Sequence, residues 1–325
     1  MPLLASLTPA TEAGRVCEIT EFGTNPGALR MFVYAPTKRL PAGAPLIVVM
    51  HGCGQNAGSF AANAGWIALA ERIGVALLLP EQKTENNRGR CFNWYQPDDV
   101  RRGKGEAMSV RQMVRAATKR YTSDRRRIFI VGLSAGGAMA AALLAAYPAV
   151  FAGGAVVAGM PVGSAGNLLA AMMRSYRADP YKSRAALADS VRNAAPSRTR
   201  RSWPRLSIWQ GGKDRVINPA NAEMLAAQWS ELHGFAEAPT SESILGPGVR
   251  RRVWGTAKRP AVEIWTLADM AHGFPVDLKV AGTGSTGIGV LDAGVSAAEE
   301  IAGFWELETR ANHVSTETSE RVNLL

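Results

Sequence analysis

The sequence predicts an α/β fold built on a mostly parallel central sheet with flanking helices. Three observations carry this expectation. Short apolar runs with no polar face, at 44–52, 74–82, 128–133 and 153–161, read as strands buried on both sides. Segments with helical spacing alternate with them, as crossovers between parallel strands require. The 325 residues are 47% hydrophobic, which is enough for a large core.

The first strands depart from the parallel pattern. "ALRMFVYAP" (28–36) alternates apolar and polar residues, and is expected to pair with the segment around 16–22 as an antiparallel edge. "APLIVVMHG" (44–52) and "GVALLLPEQ" (74–82) follow as inner strands, joined by one helix over "FAANAGWIALAERI" (60–73). "GEAMSVRQMVRAATKRY" (105–121) reads as a helix leading to the strand "RRIFIVG" (126–132). "AMAAALLAAYP" (138–148) is a helix stopped by Pro148, and "GGAVVAGMP" (153–161) is the next strand.

Residues 162–203 then turn basic and helical, without strand signal, and are expected to form an insertion over one end of the sheet. "PRLSIWQGG" (204–212) and "VEIWTLADMAHG" (262–273) resume the strands, with "GVRRRVWG" (248–255) a hairpin partner of the latter. "AAEEIAGFW" (297–305) is the last helix. Residues 1–308 are expected to form a single domain, and the polar stretch 309–325 a mobile tail.

From Ile128 to Met173 no charged residue occurs, which raises the question of a membrane span. Glycines, Pro148 and Pro161 interrupt it, so a buried strand, turn, helix and strand explain it better. The net charge of +10, from 37 basic and 27 acidic residues, is scattered in short clusters such as "DRRR" (124–127) and "RRR" (250–252). No aromatic interleaving accompanies them, so nucleic acid is not an expected partner and a solvated basic surface is. The three cysteines, Cys17, Cys53 and Cys91, have no metal-ligand spacing, and no metal is expected. Residues 1–14 lack the basic start and apolar run of a signal peptide, which by sequence points to the cytoplasm. "GTGSTG" (282–287) fits a dinucleotide-binding pattern, but no buried strand runs into it, and it reads as a mobile loop.

The chemistry centres on Ser134. It sits in "IFIVGLSAGG" (128–137), where an apolar strand meets the start of a helix. A nucleophile on such a strained turn needs small residues two before and two after it, and Gly132 and Gly136 supply them. A serine hydroxyl also needs a base, and the base an orienting acid. Of four histidines, His313 lies in the polar tail, His233 ends a polar helix and His51 ends an inner strand. His272 remains, in a loop after the last good strand and C-terminal to the serine. Asp214, on a turn after "LSIWQGGK", is the expected acid, with Asp269 the runner-up. "MHGCGQ" (50–55) lets backbone approach the substrate, so the N–H of Cys53 and that of Ala135 are expected to form an oxyanion hole.

"MHGCGQNAGSF", "CFNWYQP", "GEAMSVRQMV", "VGLSAGGAMAAAL" and "AGMPVGSA" together resemble the esterases that comprise poly(3-hydroxybutyrate) depolymerases and feruloyl or acetylxylan esterases. The likeness spans about 28–305. It implies an α/β-hydrolase fold, a Ser134, Asp214, His272 triad, Cys53 in the oxyanion loop and no cofactor. Because Cys53 and Cys91 fall in matching blocks, they are either disulfide-bonded neighbours or two reduced buried thiols. Asn93, Trp94 and Tyr95 lie in the Cys91 block and either rim the substrate cleft or pack in the core; Trp209 is expected in the core. The implied activity is hydrolysis of hydroxyalkanoate polyester or its oligomers through an acyl-enzyme, with feruloyl or acetylxylan esters as the alternative. With neither leader nor polymer-binding module visible, soluble or oligomeric esters are favoured over crystalline polymer. The resemblance also implies a secreted or periplasmic site. A peptidase of the same fold and a non-catalytic binding protein are lesser alternatives.

Overall fold

The computed structural model describes residues 13–179, 181–196, 202–256 and 259–307. Residues 309–325, and with them His313 and the expected tail, lie outside the described residues, as do positions 197–201 of the insertion.

The described chain is organised around a ten-stranded sheet. In chain order come β1 (Val16–Ile19), β2 (Arg30–Tyr34), β3 (Leu46–Met50), helices α1 (Ala57–Asn63) and α2 (Trp66–Ile73), and β4 (Ala76–Glu81). Next are α3 (Pro97–Val100), α4 (Gly105–Tyr121), β5 (Ile128–Leu133), α5 (Ala135–Ala146) and β6 (Gly153–Val157). Then follow α6 (Leu168–Tyr176), α7 (Arg184–Ala194), β7 (Arg205–Gly211), α8 (Ala220–Leu232), β8 (Ser241–Gly246), β9 (Val249–Thr256) and β10 (Arg259–Leu267). A two-stranded parallel sheet of β11 (Phe274–Val276) and β12 (Val290–Asp292) and the helix α9 (Ala297–Phe304) complete it. The strand order is β1-β2-β4-β3-β5-β6-β7-β10-β9-β8. From β4 to β10 neighbours run parallel, and the two edges are antiparallel.

The inner strands are apolar throughout because both faces are covered. In β3, Leu46, Val48 and Met50 pack on the side of α4, α5 and α8, while Ile47 and Val49 pack on the side of α1, α2 and α9. Burying each such side chain contributes about 1.5–3 kcal/mol. All twelve residues of the Ala-rich α5 are buried, which explains the long uncharged stretch without a membrane: no helix among the described residues is long and apolar enough to cross one.

Three local readings need correction. The single helix expected over 60–73 is two, because Gly65 turns left-handed (φ 82°) between α1 and α2. That turn receives the 282–287 loop, whose Thr283 carbonyl would lie 2.5 Å from a Cβ at position 65 and whose Ser285 N–H donates to the Asn63 carbonyl at 2.9 Å. The glycine-rich loop is therefore docked against α1 and α2. Helix α5 begins at Ala135, three residues earlier than its composition suggests. Strand β8 was not anticipated, because its side chains are exposed and "SESILG" carries no alternation.

Trp66 tests the packing of the α1, α2 and α9 face. It is fully buried, stacked on Trp305 with centroids 6.0 Å apart and edge-on to Phe274. Trp66→Ala should cost about 3–5 kcal/mol, read as a fall in the urea midpoint at unchanged slope. Trp66→Phe should cost about half of that or less, since the indole N–H has no hydrogen-bond partner among the described residues.

Candidate active site

Ser134 lies between β5 and α5 with φ 56° and ψ −119°, a backbone state that costs a non-glycine residue about 1–3 kcal/mol. Packing holds it there. A Cβ on Gly132 would lie 2.2 Å from the Gly136 carbonyl oxygen, and one on Gly136 would lie 2.4 Å from that of His51. The turn is thus pressed against itself and against the end of β3, with no room for a side chain at either flank.

The candidate acid and base arrive on neighbouring loops. Asp214 follows β7 and His272 follows β10, and these strands pair in parallel, Gly211 opposite Leu267. Gly212 N–H donates to the Leu267 carbonyl at 2.8 Å and Lys213 N–H to that of Met270 at 3.0 Å, which locks the two loops together. His272 Nε2 is 3.0 Å from Ser134 Oγ, and its Nδ1 is 2.7 Å from Asp214 Oδ2. The Asp214 side chain is fully covered, whereas His272 and Ser134 are half-buried.

Burial alone would raise the pKa of Asp214. The hydrogen bond from His272, the charge of its ring, and the Ile217 and Val216 N–H groups, each 2.8 Å from Oδ1, together hold it below the ordinary aspartate range. Gln210 Nε2 adds a fourth donor, to Oδ2 at 3.0 Å. Asp269, the other candidate acid, pairs with Lys213 at 2.7 Å on the surface instead.

The oxyanion candidates are placed by register. Met50 of β3 pairs with Gly132 of β5, so the loop after β3 and the turn after β5 emerge side by side. Among the described residues, nothing accepts the N–H of Cys53 or of Ala135. Cys53 is disulfide-bonded to Cys91, and Gly54 N–H donates to the Gly89 carbonyl at 2.9 Å, which clamps this loop to the 87–91 segment. Of the other sequence candidates, Trp94 packs against Ala138, Met160 and Ile217, beside the serine turn and the acid loop. The polar ends of Asn93 and Tyr95 point elsewhere, to Asn87 Nδ2 at 2.9 and 3.3 Å. Trp209 is core, stacked on Trp265 with centroids 4.5 Å apart.

Residues 29–247 match the family model described as esterase, PHB depolymerase. The chain belongs to this esterase family. It is 37% identical over 292 residues to poly(3-hydroxyalkanoate) depolymerase C of Paucimonas lemoignei, covering 89% of this chain and 69% of the relative. It is 28% identical to feruloyl esterase B of Talaromyces funiculosus, covering 86% and 78% of the two chains. Among solved structures, an acetyl xylan esterase from Aspergillus awamori superposes with a TM-score of 0.76 at 19% identity, over 91% of this chain and all of the other, a likeness of fold. The chain is accordingly a serine-type carboxylic ester hydrolase of α/β-hydrolase fold.

This esterase carries a buried polar layer behind the oxyanion loop that the motifs did not reveal. His51 is fully buried; its Nδ1 lies 2.7 Å from the Gly52 carbonyl and its Nε2 accepts from Gln82 N–H at 3.1 Å, a pattern that suits the neutral ring. Burial keeps its pKa low. Gln55 accepts from Gly52 N–H at 2.6 Å, so Gly52, the residue before Cys53, is held at both its N–H and its carbonyl. Gln82 Nε2 in turn donates to Glu106 at 2.6 Å, and Asn93 N–H donates to the other Glu106 oxygen at 2.9 Å. Glu106 thus joins the β4 end to the segment that carries Cys91. No spacing rule announces such residues, because their neighbours in the sequence are those of ordinary polar positions.

Burial pushes the Glu106 carboxyl up to about 8, with the nearby Asp99 adding to the rise and the Asn93, Gln82 and Asn86 donors opposing it. Between the ordinary glutamate value of 4.5 and about 8, the unfolded chain is ionised while the folded chain keeps the proton. Its stability contribution is therefore fully present below about pH 4.5 and is lost as pH rises to about 8. Glu106→Gln should remove that slope. Urea midpoints at pH 5.5 and 8.5 check it: the wild type should lose more stability between them than the variant does.

Proposed function

We propose that Ser134 is the nucleophile, His272 the general base and acid, and Asp214 the group that fixes the histidine tautomer. The carrying observation is the unbroken hydrogen-bond chain from Ser134 Oγ through the His272 ring to a covered Asp214. Ser134 Oγ attacks the ester carbonyl as His272 Nε2 takes its proton, and the same nitrogen returns that proton to the departing alcohol. Water then adds to the acyl-enzyme along the same route in reverse. The Cys53 and Ala135 N–H groups receive the oxyanion, each donor contributing about 3 kcal/mol in the transition state. These steps call for no cofactor.

As substrate we propose 3-hydroxybutyrate polyester or its oligomers. The relatives include a poly(3-hydroxyalkanoate) depolymerase. The insertion adds a second argument: α6 exposes Leu168, Leu169, Met172, Met173 and Tyr176 on one face. The end of this helix is tied to the acid loop, because Asn218 N–H donates to the Ser175 carbonyl at 2.7 Å and Asn218 Nδ2 to that of Tyr176 at 3.0 Å. An apolar surface beside the catalytic acid suits an aliphatic polyester better than a sugar-borne ester. Feruloyl and acetylxylan esters are the second reading, supported by relatives so named.

Ser134→Ala should lower kcat on p-nitrophenyl butyrate by about 10⁴-fold or more, and Asp214→Asn by about 10³–10⁴-fold. Equal turnover by Ser134→Ala would remove the nucleophile assignment. A panel of polyester film, hydroxybutyrate trimer, methyl ferulate and acetylated xylan decides the substrate. The hydroxybutyrate esters should be preferred, and a wide margin for methyl ferulate would reverse the order. Leu169→Asp with Met173→Asp should slow film hydrolysis roughly tenfold while leaving p-nitrophenyl butyrate turnover near wild type.

A further inference from the structure

A second cavity lies at the opposite end of the sheet from Ser134. Its volume is about 690 Å³, and its lining includes Arg102, Arg111, Arg125, Arg126, Phe151 and Trp203. Arg125 and Arg126 stand just before β5 and Phe151 just before β6, so the cavity opens at the strand N-termini. Ser134 follows the C-terminal end of the six-residue β5, roughly 20 Å away at about 3.3 Å per residue.

Arg102, Arg125 and Arg126 are exposed and Arg111 is half-buried among them, which sets this cluster apart from scattered surface charge. Among the described residues, no aspartate or glutamate lines the cavity. Arg111 is half-buried and makes no ion pair among the described residues. Burial depresses its pKa, and Arg102, Arg115 and Arg125 press in the same direction, with Tyr147 opposing. Of the lining arginines, Arg126 pairs with Asp124 at 3.4 Å, and none of the others forms such a pair among the described residues. Arg102 is fixed in place, donating to the Ala146 carbonyl at 2.9 Å with its guanidinium 4.8 Å from the centroid of the Tyr147 ring. Like charges gathered around a half-buried arginine destabilise the folded protein unless an anion neutralises them. Guanidinium groups match the paired oxygens of phosphate in particular. The concave shape and the Phe151 and Trp203 walls add room for an apolar body beside the anionic group.

We propose that this cavity binds a small phosphorylated molecule, its phosphate held by Arg111 and Arg125 and its apolar part against Phe151 and Trp203. The site is separate from the ester-cleaving centre and does not depend on the assignment made there.

Isothermal titration of the full chain with inorganic pyrophosphate and with phenyl phosphate, at low salt and at 0.15 M, tests this. Both should bind, weakening as salt rises, and phenyl phosphate should quench Trp203, a change lost in Trp203→Phe. Arg111→Met should weaken binding at least tenfold. Arg125→Ser removes an exposed side chain and should do the same if Arg111→Met proves unstable; circular dichroism and the ligand-free melting temperature confirm that each variant is folded. No heat and no rise in melting temperature with millimolar pyrophosphate would overturn the proposal, as would binding unchanged in both variants. Sedimentation with phosphatidylglycerol vesicles that survives both substitutions would also overturn it, since the charge would then act as a diffuse surface.

Discussion

The site depends on one backbone conformation, the left-handed turn at Ser134. A serine with φ 56° is strained by about 1–3 kcal/mol and would relax if its surroundings allowed. They do not, because the turn is wedged between two glycines that touch backbone carbonyl oxygens, one its own and one from the end of β3. The strain is sustained by the rest of the sheet. Hydrogen bonding of β5 to both β3 and β6 fixes the strand before the turn, and the buried α5 fixes the helix after it. What the strain provides is direction: Ser134 Oγ stands 3.0 Å from His272 Nε2, while the adjacent Ala135 N–H finds no partner among the described residues.

The parts of this arrangement that were legible in the sequence are those whose chemistry forces a residue type into a fixed local context. The strand, the two glycines and the serine could be read together because steric exclusion leaves no other residues for those places. His272 emerged from the order of elements and the small number of histidines, and Asp214 from its place on a turn after an inner strand. The sheet was equally legible at its centre, where strands covered on both faces admit only apolar residues. It was less so at its β8 edge, where exposed side chains carry no period. The break at Gly65 was hidden because its cause, the docking of the 282–287 loop, comes from more than 200 residues away in the chain.

The buried polar layer was illegible for a different reason. Gln55, Gln82 and Glu106 matter through the partners they meet in space, and nothing local distinguishes them from polar residues facing water. Their effect is cumulative. Glu106 holds Gln82 and the Asn93 backbone, Gln82 N–H meets His51, and His51 and Gln55 fix the Gly52 peptide, while the disulfide clamps Cys53 to Cys91. An oxyanion donor is useful only if it is already in place when charge develops, since reorientation at that moment would consume the stabilisation it gives. A loop of glycines could not hold itself so firmly, and the layer beneath it supplies the rigidity.

The two buried carboxyls of this region show how the same burial is turned to opposite ends. Asp214 meets four donors, one of them on the ring that in the proposed mechanism becomes cationic on taking the serine proton, and its pKa falls. Glu106 meets only neutral donors, with a second acid, Asp99, nearby, and its pKa rises. The difference is a counter-charge, and its consequence is electrostatic. A negative Asp214 faces the His272 ring, where the proposed mechanism would place an imidazolium. A negative Glu106 would stand behind the oxyanion loop and oppose charge developing at the Cys53 N–H. Holding the proton through neutral pH keeps that side of the site uncharged, so the field across Ser134 runs from neutral N–H groups to an ionised acid, the direction that the proposed mechanism calls for.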